Sequence, residues 1–528
     1  MSLSCCFRYP VRHGYVKIAV LLLAIIMVAA HSAGTAEVDL GQGLLAGTPT
    51  PTGIILQARL TDGRQLIEGD LPGRRGVAQF EISPTKNMAD ARRTEWLRAD
   101  PDSDYIVKTR LDELQPSTRY YYRVIYGIDK NQTKRSTIGT FKTLGGPTSS
   151  DRVSFVAVTG MNHYFFHYGS YYGPHFDAAP TQERRLGYPA LEAIRRLEPD
   201  FFVGTGDNVY YDHPNTHTLD HLQSLNRFPP TGGWNGNAKT RSELRRKYHE
   251  QFSQPRFIDL FDSVPTYWQK DDHDYRFDDS DPYMDAARYR SGDGRPSHDL
   301  AVATFQEQLP VPGSTEAGAL PYGSFRVSRD MQIWLVEGRE FRSPNNMPDG
   351  PQKSLWGRHQ RDWLKRTLLA SNATFKLLIH PTPLVGPQDN GGEPFPKMDN
   401  HINSKGFRYE RQDFFDWLAK NDFLDKGFFI ICGDSHWPYH AIDPSGVEEF
   451  CTGALVTQNA TVGARPGDPN CSDPLGKINQ PFHPDSAMAT FLYVELAAGS
   501  DNAGPLLRFT HCDQHGRKLY SVEKSVSR

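Results

Sequence analysis

Val153-Ser154-Phe155-Val156-Ala157-Val158 is followed by Tyr188-Pro189-Ala190-Leu191-Glu192-Ala193-Ile194-Arg195-Arg196-Leu197 and then by Asp200-Phe201-Phe202-Val203-Gly204-Thr205-Gly206-Asp207. The first and third segments are apolar throughout, the pattern of strands covered on both faces, and the middle one is an amphipathic helix. Strand, helix, strand of this kind predicts an α/β domain built on a layered β-sheet with flanking helices. Further apolar runs at Gln332–Val336, Phe375–Ile379 and Phe428–Cys432 extend the same pattern. No internal repeat interrupts it.

Upstream the period changes. Ile54–Leu60, Val77–Ile82, Tyr105–Leu111 and Arg119–Val124 alternate between turn-rich spacers, and Phe141-Lys142-Thr143 closes the series. These segments predict a small all-β sandwich over residues 37–145. Its stretch Leu114-Gln115-Pro116-Ser117-Thr118-Arg119-Tyr120-Tyr121-Tyr122-Arg123-Val124 resembles a fibronectin-III-like module. No titratable cluster lies in it, so a packing or positioning role is expected. Gly145–Ser150 reads as a linker, and residues 151–528 as the chemical domain. At the start, Arg8, Arg12 and Lys17 precede the apolar run Ile18–Ala30, and Gly34-Thr35-Ala36 offers a small-residue cleavage site. Residues 1–36 are thus expected to be a signal peptide, and the protein secreted or periplasmic. An uncleaved anchor is the lesser alternative, since the run falls short of the roughly 20 residues that span a bilayer.

The chain has 528 residues, with 59 Lys+Arg against 62 Asp+Glu and a net charge of −3, which argues against a general basic face for nucleic acid. Its 8 Trp, 24 Tyr and 29 Phe argue against disorder. After signal removal the cysteines are Cys432, Cys451, Cys471 and Cys512, which allow two disulfides in three pairings. Cys451 and Cys471 flank a polar Gly/Pro-rich loop and are the favoured pair; Cys432 equally reads as a plain buried strand residue. There is no C-x-x-C zinc pattern.

Chemistry gathers where the apolar strands end. The 201–205 run leads into Gly206-Asp207-Asn208-Val209-Tyr210-Tyr211-Asp212, and Val264–Trp268 into Asp271-Asp272-His273-Asp274-Tyr275, with Asp278 and Asp279 beyond. The 375–379 run ends in His380, and 428–432 in Gly433-Asp434-Ser435-His436. Ligands of open α/β sheets bind outside the carboxyl ends of the strands. Carboxylates converging there are costly unless cations neutralise them, and such hard donors suit Ca²⁺, Mg²⁺, Mn²⁺ or Fe³⁺.

In these blocks and their order the sequence resembles the alkaline phosphatase D (PhoD-like) family of calcineurin-like metallophosphoesterases. Gly206-Asp207-Asn208-Val209-Tyr210 is similar to its G-D-x-x-Y block, Asp271-Asp272-His273-Asp274 to its D-D-H-[DE] block, and Gly433-Asp434-Ser435-His436 to its G-D-x-H block. Glu337-Gly338-Arg339-Glu340-Phe341-Arg342 resembles a D-x-R-x-x-R stretch with Glu in place of Asp. Gly357, Gln360, Trp363 and Leu364 match the helix behind it. The resemblance implies a metallophosphatase-type domain preceded by the β-sandwich, and a phosphate-ester substrate. It also implies two metal ions, Ca²⁺ with Fe³⁺ or another hard cation such as Mn²⁺. Asp207 would bridge them; Tyr210 and His436 would bind one, and Asp434 the other, with Asp278 near the position of a family Asn ligand. Asp271, Asp272 and His273 would line the site, Asp271 either there or only holding the turn, and His273 contacting substrate or protonating the leaving group. Arg339 and Arg342 would either grip phosphate or pair with Glu337 and Glu340.

One departure stands out. The family's first strand ends in a Ser-Cys pair whose Cys binds metal, whereas here it ends Thr159-Gly160-Met161-Asn162-His163. Gly160 offers no ligand, so Asn162 or His163 is expected to compensate, and His380 is a further candidate. The expected activity is hydrolysis of phosphomonoesters or phosphodiesters by activated water, without a protein nucleophile. The alternative is a catalytically weak phosphate-ligand-binding protein on the same scaffold. Substrate choice is assigned to long loops at 210–250 and 280–325.

Overall fold

The computed structural model describes residues 37–170, 177–214, 238–284, 295–316, 318–392, 395–497 and 504–526. The expected signal peptide lies outside them. Val38–Arg528 forms one compact unit. Among the described residues no helix is long and apolar enough to cross a membrane.

Two sheets make the centre. The first runs, by strand, 518–525, 506–513, 490–497, 153–158, 201–205, 266–269, 44–47, 54–59 and 106–111. Strands Val153–Val158, Phe201–Thr205 and Thr266–Gln269 are parallel, as the apolar runs predict. The second runs 323–326, 331–335, 375–380, 428–432, 448–452, 438–442 and 479–482, with its four middle strands parallel. Phe155, Phe201 and Val203 of the first pack against Ile333, Leu377, Ile379 and Ile431 of the second in one buried core. Helices cover the outer faces. Ala190, Leu191 and Ile194 of Pro189–Leu197 pack on the first sheet, and Leu364, Leu368, Phe414 and Leu418 of helices Gly357–Ala370 and Arg408–Lys420 on the second. The result is helix, sheet, sheet, helix.

The N-terminal region is an all-β sandwich, but it is not set apart. Its strands Leu44–Gly47, Ile54–Arg59 and Ile106–Leu111 belong to the first central sheet, next to Thr266–Gln269. Their other face packs Leu56 and Val107 against Phe80, Tyr122, Val124 and Phe141 of a smaller sheet. Strands Thr490–Ala497, Leu506–Asp513 and Lys518–Ser525, none of them expected, complete the other edge.

The favoured disulfide is absent. All four cysteines are free and buried. Cys451 lies in a central strand, registered opposite Cys432, while Cys471 is engaged elsewhere, its Sγ 3.4 Å from the Arg465 carbonyl. Flanking one loop in sequence therefore does not bring the two thiols together.

Candidate metal centre

The carboxyl ends of the two sheets are tied together at the rim. Gln269 donates from Nε2 to the Val336 carbonyl (2.7 Å) and the Ile379 carbonyl (2.9 Å), joining the 266–269 strand to the second sheet. Asp274 ties the two acidic loops of the first sheet. Its carboxylate accepts from the backbone N–H of Asn208 (3.1 Å) and Asp271 (2.7 Å), and from the Asn208 side chain (2.5 Å). Gly206 sits at φ 109°, where a Cβ would lie 2.4 Å from Asp271 Cβ; only glycine permits that approach. Asp207, Asp279 and Asp434 all have left-handed backbones, at φ 56°, 56° and 61°. Such conformations cost energy and persist where the surroundings hold them.

These loops bring the acids together. Asp207 Oδ2 accepts from the Tyr210 hydroxyl (2.7 Å) and lies 3.1 Å from His436 Nε2; Tyr210 and His436 are 3.2 Å apart. The other oxygen, Oδ1, is buried without a hydrogen-bond partner. Ligand atoms of Asp271, Asp272 and Asp434 lie within 4.8 Å of one another, as do those of Asp207, Asp272 and His273, and of Asp272, Asp278 and Asp279.

Burial dominates the electrostatics. It pushes Asp207 and Asp434 well above the ordinary carboxylate range, and neighbouring carboxylates add to the rise. Asp271 is raised to about 7 by burial despite the Arg339 charge beside it. For Asp272 burial is outweighed by the charges of His273 and Arg339, which hold it at about 2. His273 is the reverse case: burial opposes its charge, but Asp212, Asp272 and Asp207 raise it well above the usual imidazole value. Its Nδ1 is 2.8 Å from Asp212 Oδ1, and its ring stacks on Tyr210 at 4.3 Å. Burial, with His273 and Lys397 nearby, lowers His436 to about 3. A neutral imidazole, a phenol and a buried carboxylate with an unpartnered oxygen form a donor set that fits a hard cation.

Other expected residues are placed differently. Arg339 is wholly buried; its guanidinium bonds Asp271 (2.7 Å), Asp399 (2.9 Å) and the Ser280 carbonyl (3.0 Å). Arg342 is also buried, on the Gly338 carbonyl (2.7 Å) and Asn345 (3.1 Å). The ion pairs expected of these arginines with Glu337 and Glu340 go instead to Lys270, which is buried against both acids. Gln360 of the expected helix reads the backbone of Glu337, accepting from its N–H (2.7 Å) and donating to its carbonyl (2.8 Å). His380 lies outside the acidic groups: its Nε2 accepts from Trp356 Nε1–H (2.8 Å) and its Nδ1 lies 2.5 Å from the Thr382 carbonyl. Asn162 caps the helix His163–Tyr168, its Oδ1 accepting from Phe165 N–H (3.0 Å), while its Nδ2 is 2.9 Å from His213 Nδ1. His163 stacks on His167 at 4.1 Å. Asp278 donates its backbone N–H to Asp212 (3.1 Å) and lies in the acidic group with Asp272.

Sequence reasoning assigned no role to Asp212, Asp399, Lys397 or Asn459. Asp212 closes the quoted G-D-x-x-Y stretch and could have been found there. Asp399 and Lys397 come from irregular segments and Asn459 from the short 3-10 helix Thr457–Asn459, none of them with a motif. The helix Arg241–Phe252, inside an expected loop, did carry a signal: Thr240 and Glu243 form a capping box.

Fold and site together define a two-sheet layered scaffold with an acidic, cation-suited rim. Residues 172–495 match the model of the PhoD-like phosphatase family, and residues 27–145 that of its N-terminal domain. The chain belongs to that family and is a phosphatase of the hydrolase class. A structure of PhoD is similar over 92% of each chain, with a TM-score of 0.67 at 17% identity. A purple acid phosphatase, PPD1 from yellow lupin (Lupinus luteus) seeds, is similar over 92% of this chain and 73% of its own, with a TM-score of 0.53 at 13% identity. No curated protein matches by sequence.

Proposed function

We propose that this chain is a secreted or periplasmic phosphoesterase that hydrolyses phosphomonoesters, phosphodiesters or both at a two-metal centre. The observation that carries the reading is the unpartnered Oδ1 of Asp207, buried among carboxylates while its Oδ2 meets Tyr210 and His436. Asp207 would bridge the ions; Tyr210 and His436 hold one, Asp434 and Asp278 the other. When bound, two hard cations, Ca²⁺ with Fe³⁺ or Mn²⁺, polarise phosphoryl oxygens and lower the pKa of an attacking water.

The chain's own residues do the rest. Asp274 fixes the loops that carry Asp207 and Asp271. Arg339 neutralises Asp271 and Asp399 from beneath and acts as a positioning residue. His273, charged through Asp212 and Asp272, donates a proton to the leaving-group oxygen. His380 and Asn162, committed to Trp356, Thr382, Phe165 and His213, are left out of the ligand set.

The test is hydrolysis of a chromogenic phosphomonoester and phosphodiester after chelation and return of Ca²⁺, Mn²⁺ or Fe³⁺, with Asp207→Asn as control. Restored activity that the variant lacks supports the enzyme and ranks the two ester classes. A well-folded protein that stays inactive with every ion and holds one or none favours the phosphate-binding alternative, for which the loss of a ligand at Gly160 is the motive.

A further inference from the structure

Gly160 lies two residues past the strand Val153–Val158, with a left-handed backbone at φ 68°. A Cβ built on it would lie 2.9 Å from Ala454 Cβ, 3.0 Å from Ala454 Cα and 3.2 Å from Asn459 Nδ2. A side chain at residue 160 would therefore press on Ala454 and on the Asn459 carboxamide. Asn459 is fully buried. Its Nδ2 lies 2.7 Å from Tyr210 Oη, 3.3 Å from the Gly160 carbonyl and 3.4 Å from His436 Nε2.

That carboxamide thus sits beside Tyr210 and His436, the two side chains that meet Asp207 Oδ2. Tyr210 Oη and Asp207 Oδ2 are 2.7 Å apart, His436 Nε2 and Asp207 Oδ2 3.1 Å, Tyr210 and His436 3.2 Å. Adjacent donors on a hard cation with bonds of about 2.0–2.3 Å stand about 2.8–3.3 Å apart, close to these separations. A half-turn of the terminal torsion exchanges the nitrogen and oxygen of a carboxamide, so Oδ1 can take the place Nδ2 holds.

We propose that Asn459 is a ligand of the first metal position, its carboxamide oxygen replacing the side chain that Gly160 lacks. This rests on the two-metal reading above and deepens it. The donor set at that position becomes carboxylate, phenol, imidazole and amide, with no sulfur. Such a set turns the site from soft-donor preference toward Mn²⁺ and similar hard ions.

The experiment uses the full chain, stripped by chelation and returned to Mn²⁺, with ions per chain counted by elemental analysis and affinities measured by calorimetry. Wild type is expected to hold two ions. Asn459→Ala is expected to lose one, or to bind it at least about 10–100-fold more weakly, while Asn459→Asp, which keeps an oxygen donor, retains both. Because Ala at a buried amide can disturb folding, circular dichroism of the metal-free variants accompanies the titrations. A third variant, Gly160→Cys with Ala454→Gly and Asn459→Ala, opens the space for a thiolate. It is expected to recover the lost ion and, loaded with Co²⁺, to show a sulfur-to-metal charge-transfer band. Two ions at wild-type affinity in both Asn459→Ala and Asn459→Asp would overturn the assignment. So would a wild type with one ion and an Asn459→Ala variant with two, since the amide would then be filling the cation's place. A wild type that binds no ion would overturn the two-metal reading itself, a result distinct from the others.

Discussion

Replacing Arg339 by Met separates a structural cation from a substrate-binding one. The guanidinium is fully buried and bonds Asp271, Asp399 and the Ser280 carbonyl at 2.7–3.0 Å, with Asp272 at 3.9 Å. Met keeps much of the stem's volume but leaves Asp271 and Asp399 without their cation. Removing one partner of a buried ion pair costs about 3–5 kcal/mol, because the remaining charge stays out of water. Denaturation by urea, followed by tryptophan fluorescence, should report a loss of that size. Arg339→Lys should fall between wild type and Met, since an ammonium keeps the charge but cannot reach three partners with a planar fork. An Arg339→Met variant within about 1 kcal/mol of wild type, with a raised KM and an unchanged kcat, would refute the reasoning and return Arg339 to the substrate.

Chelation should lower the thermal midpoint, and return of metal at 100 times Kd should restore about 2.7 kcal/mol per site; a midpoint indifferent to chelator would count against a cation-dependent rim. His273→Ala should reduce kcat by about 10²–10⁴-fold with little change in KM. Asp212→Asn removes a charge that raises the His273 pKa, so the acid form is lost at lower pH and the alkaline limb of the rate profile should move down; an unmoved limb would assign the acid elsewhere. Far from the site, burial raises Asp262 from its ordinary 3.8 to about 6, although its carboxylate accepts from Leu44 N–H at 2.9 Å. The folded state then binds more protons between those values, so stability is highest below pH 3.8 and falls as pH rises through 6. The cost above pH 6 is at most about 3 kcal/mol and smaller where water reaches the carboxyl. Asp262→Asn, which keeps an acceptor for Leu44, should raise the midpoint at pH 8 and not at pH 4.

Legibility followed the range of the interaction. The 153–158 and 201–205 strands and the 189–197 helix were readable because each announces itself within a few residues by its apolar pattern. The rim blocks were readable for a related reason: G-D-x-x-Y and D-D-H-D are local turns that place Asp207 and His273 directly after strands. The Cys451–Cys471 expectation failed because sequence proximity across a loop says nothing about which strand faces which, and the sheet registers Cys451 with Cys432. The pairing of Arg339 and Arg342 with neighbouring glutamates, one of the two roles expected of them, fails on the same ground. Glu337 and Glu340 are instead claimed by Lys270, from the other sheet, and Asp399 reaches Arg339 from an irregular segment 60 residues further on. Such long-range partners leave no periodic trace. Leu506–Asp513 and Lys518–Ser525 went unread because polar residues break up their apolar pattern, whereas Phe491-Leu492-Tyr493-Val494 carried an apolar run that could have been found.

The division of charge across the rim explains why the acids can coexist. Arg339 answers Asp271 and Asp399 from below, and His273 answers Asp212 and Asp272 at one side. At the mouth, against the cost of burial, Lys397 is held charged by Asp279, Asp389, Asp434 and Asp278. For Asp207 and Asp434, burial and carboxylate repulsion outweigh the opposing charges of His273 and Lys397, and both acids stay well above the ordinary carboxylate range. If Asp434 and Asp272, whose ligand atoms lie within 4.8 Å of each other, were both ionised, they would repel by about 3–4 kcal/mol at the effective dielectric near a protein surface. A protein built only for stability would replace one of these acids, whereas left-handed backbones at Asp207, Asp279 and Asp434 add further cost at the same place. Both costs become intelligible if cations bind beside Asp207 and Asp434, where the charges of His273 and Lys397 do not offset burial and the neighbouring carboxylates. On that reasoning Asp434→Asn should stabilise the chelated protein while weakening its binding of metal. A variant destabilised in chelator would show that Asp434 is held by the fold and not kept for an ion.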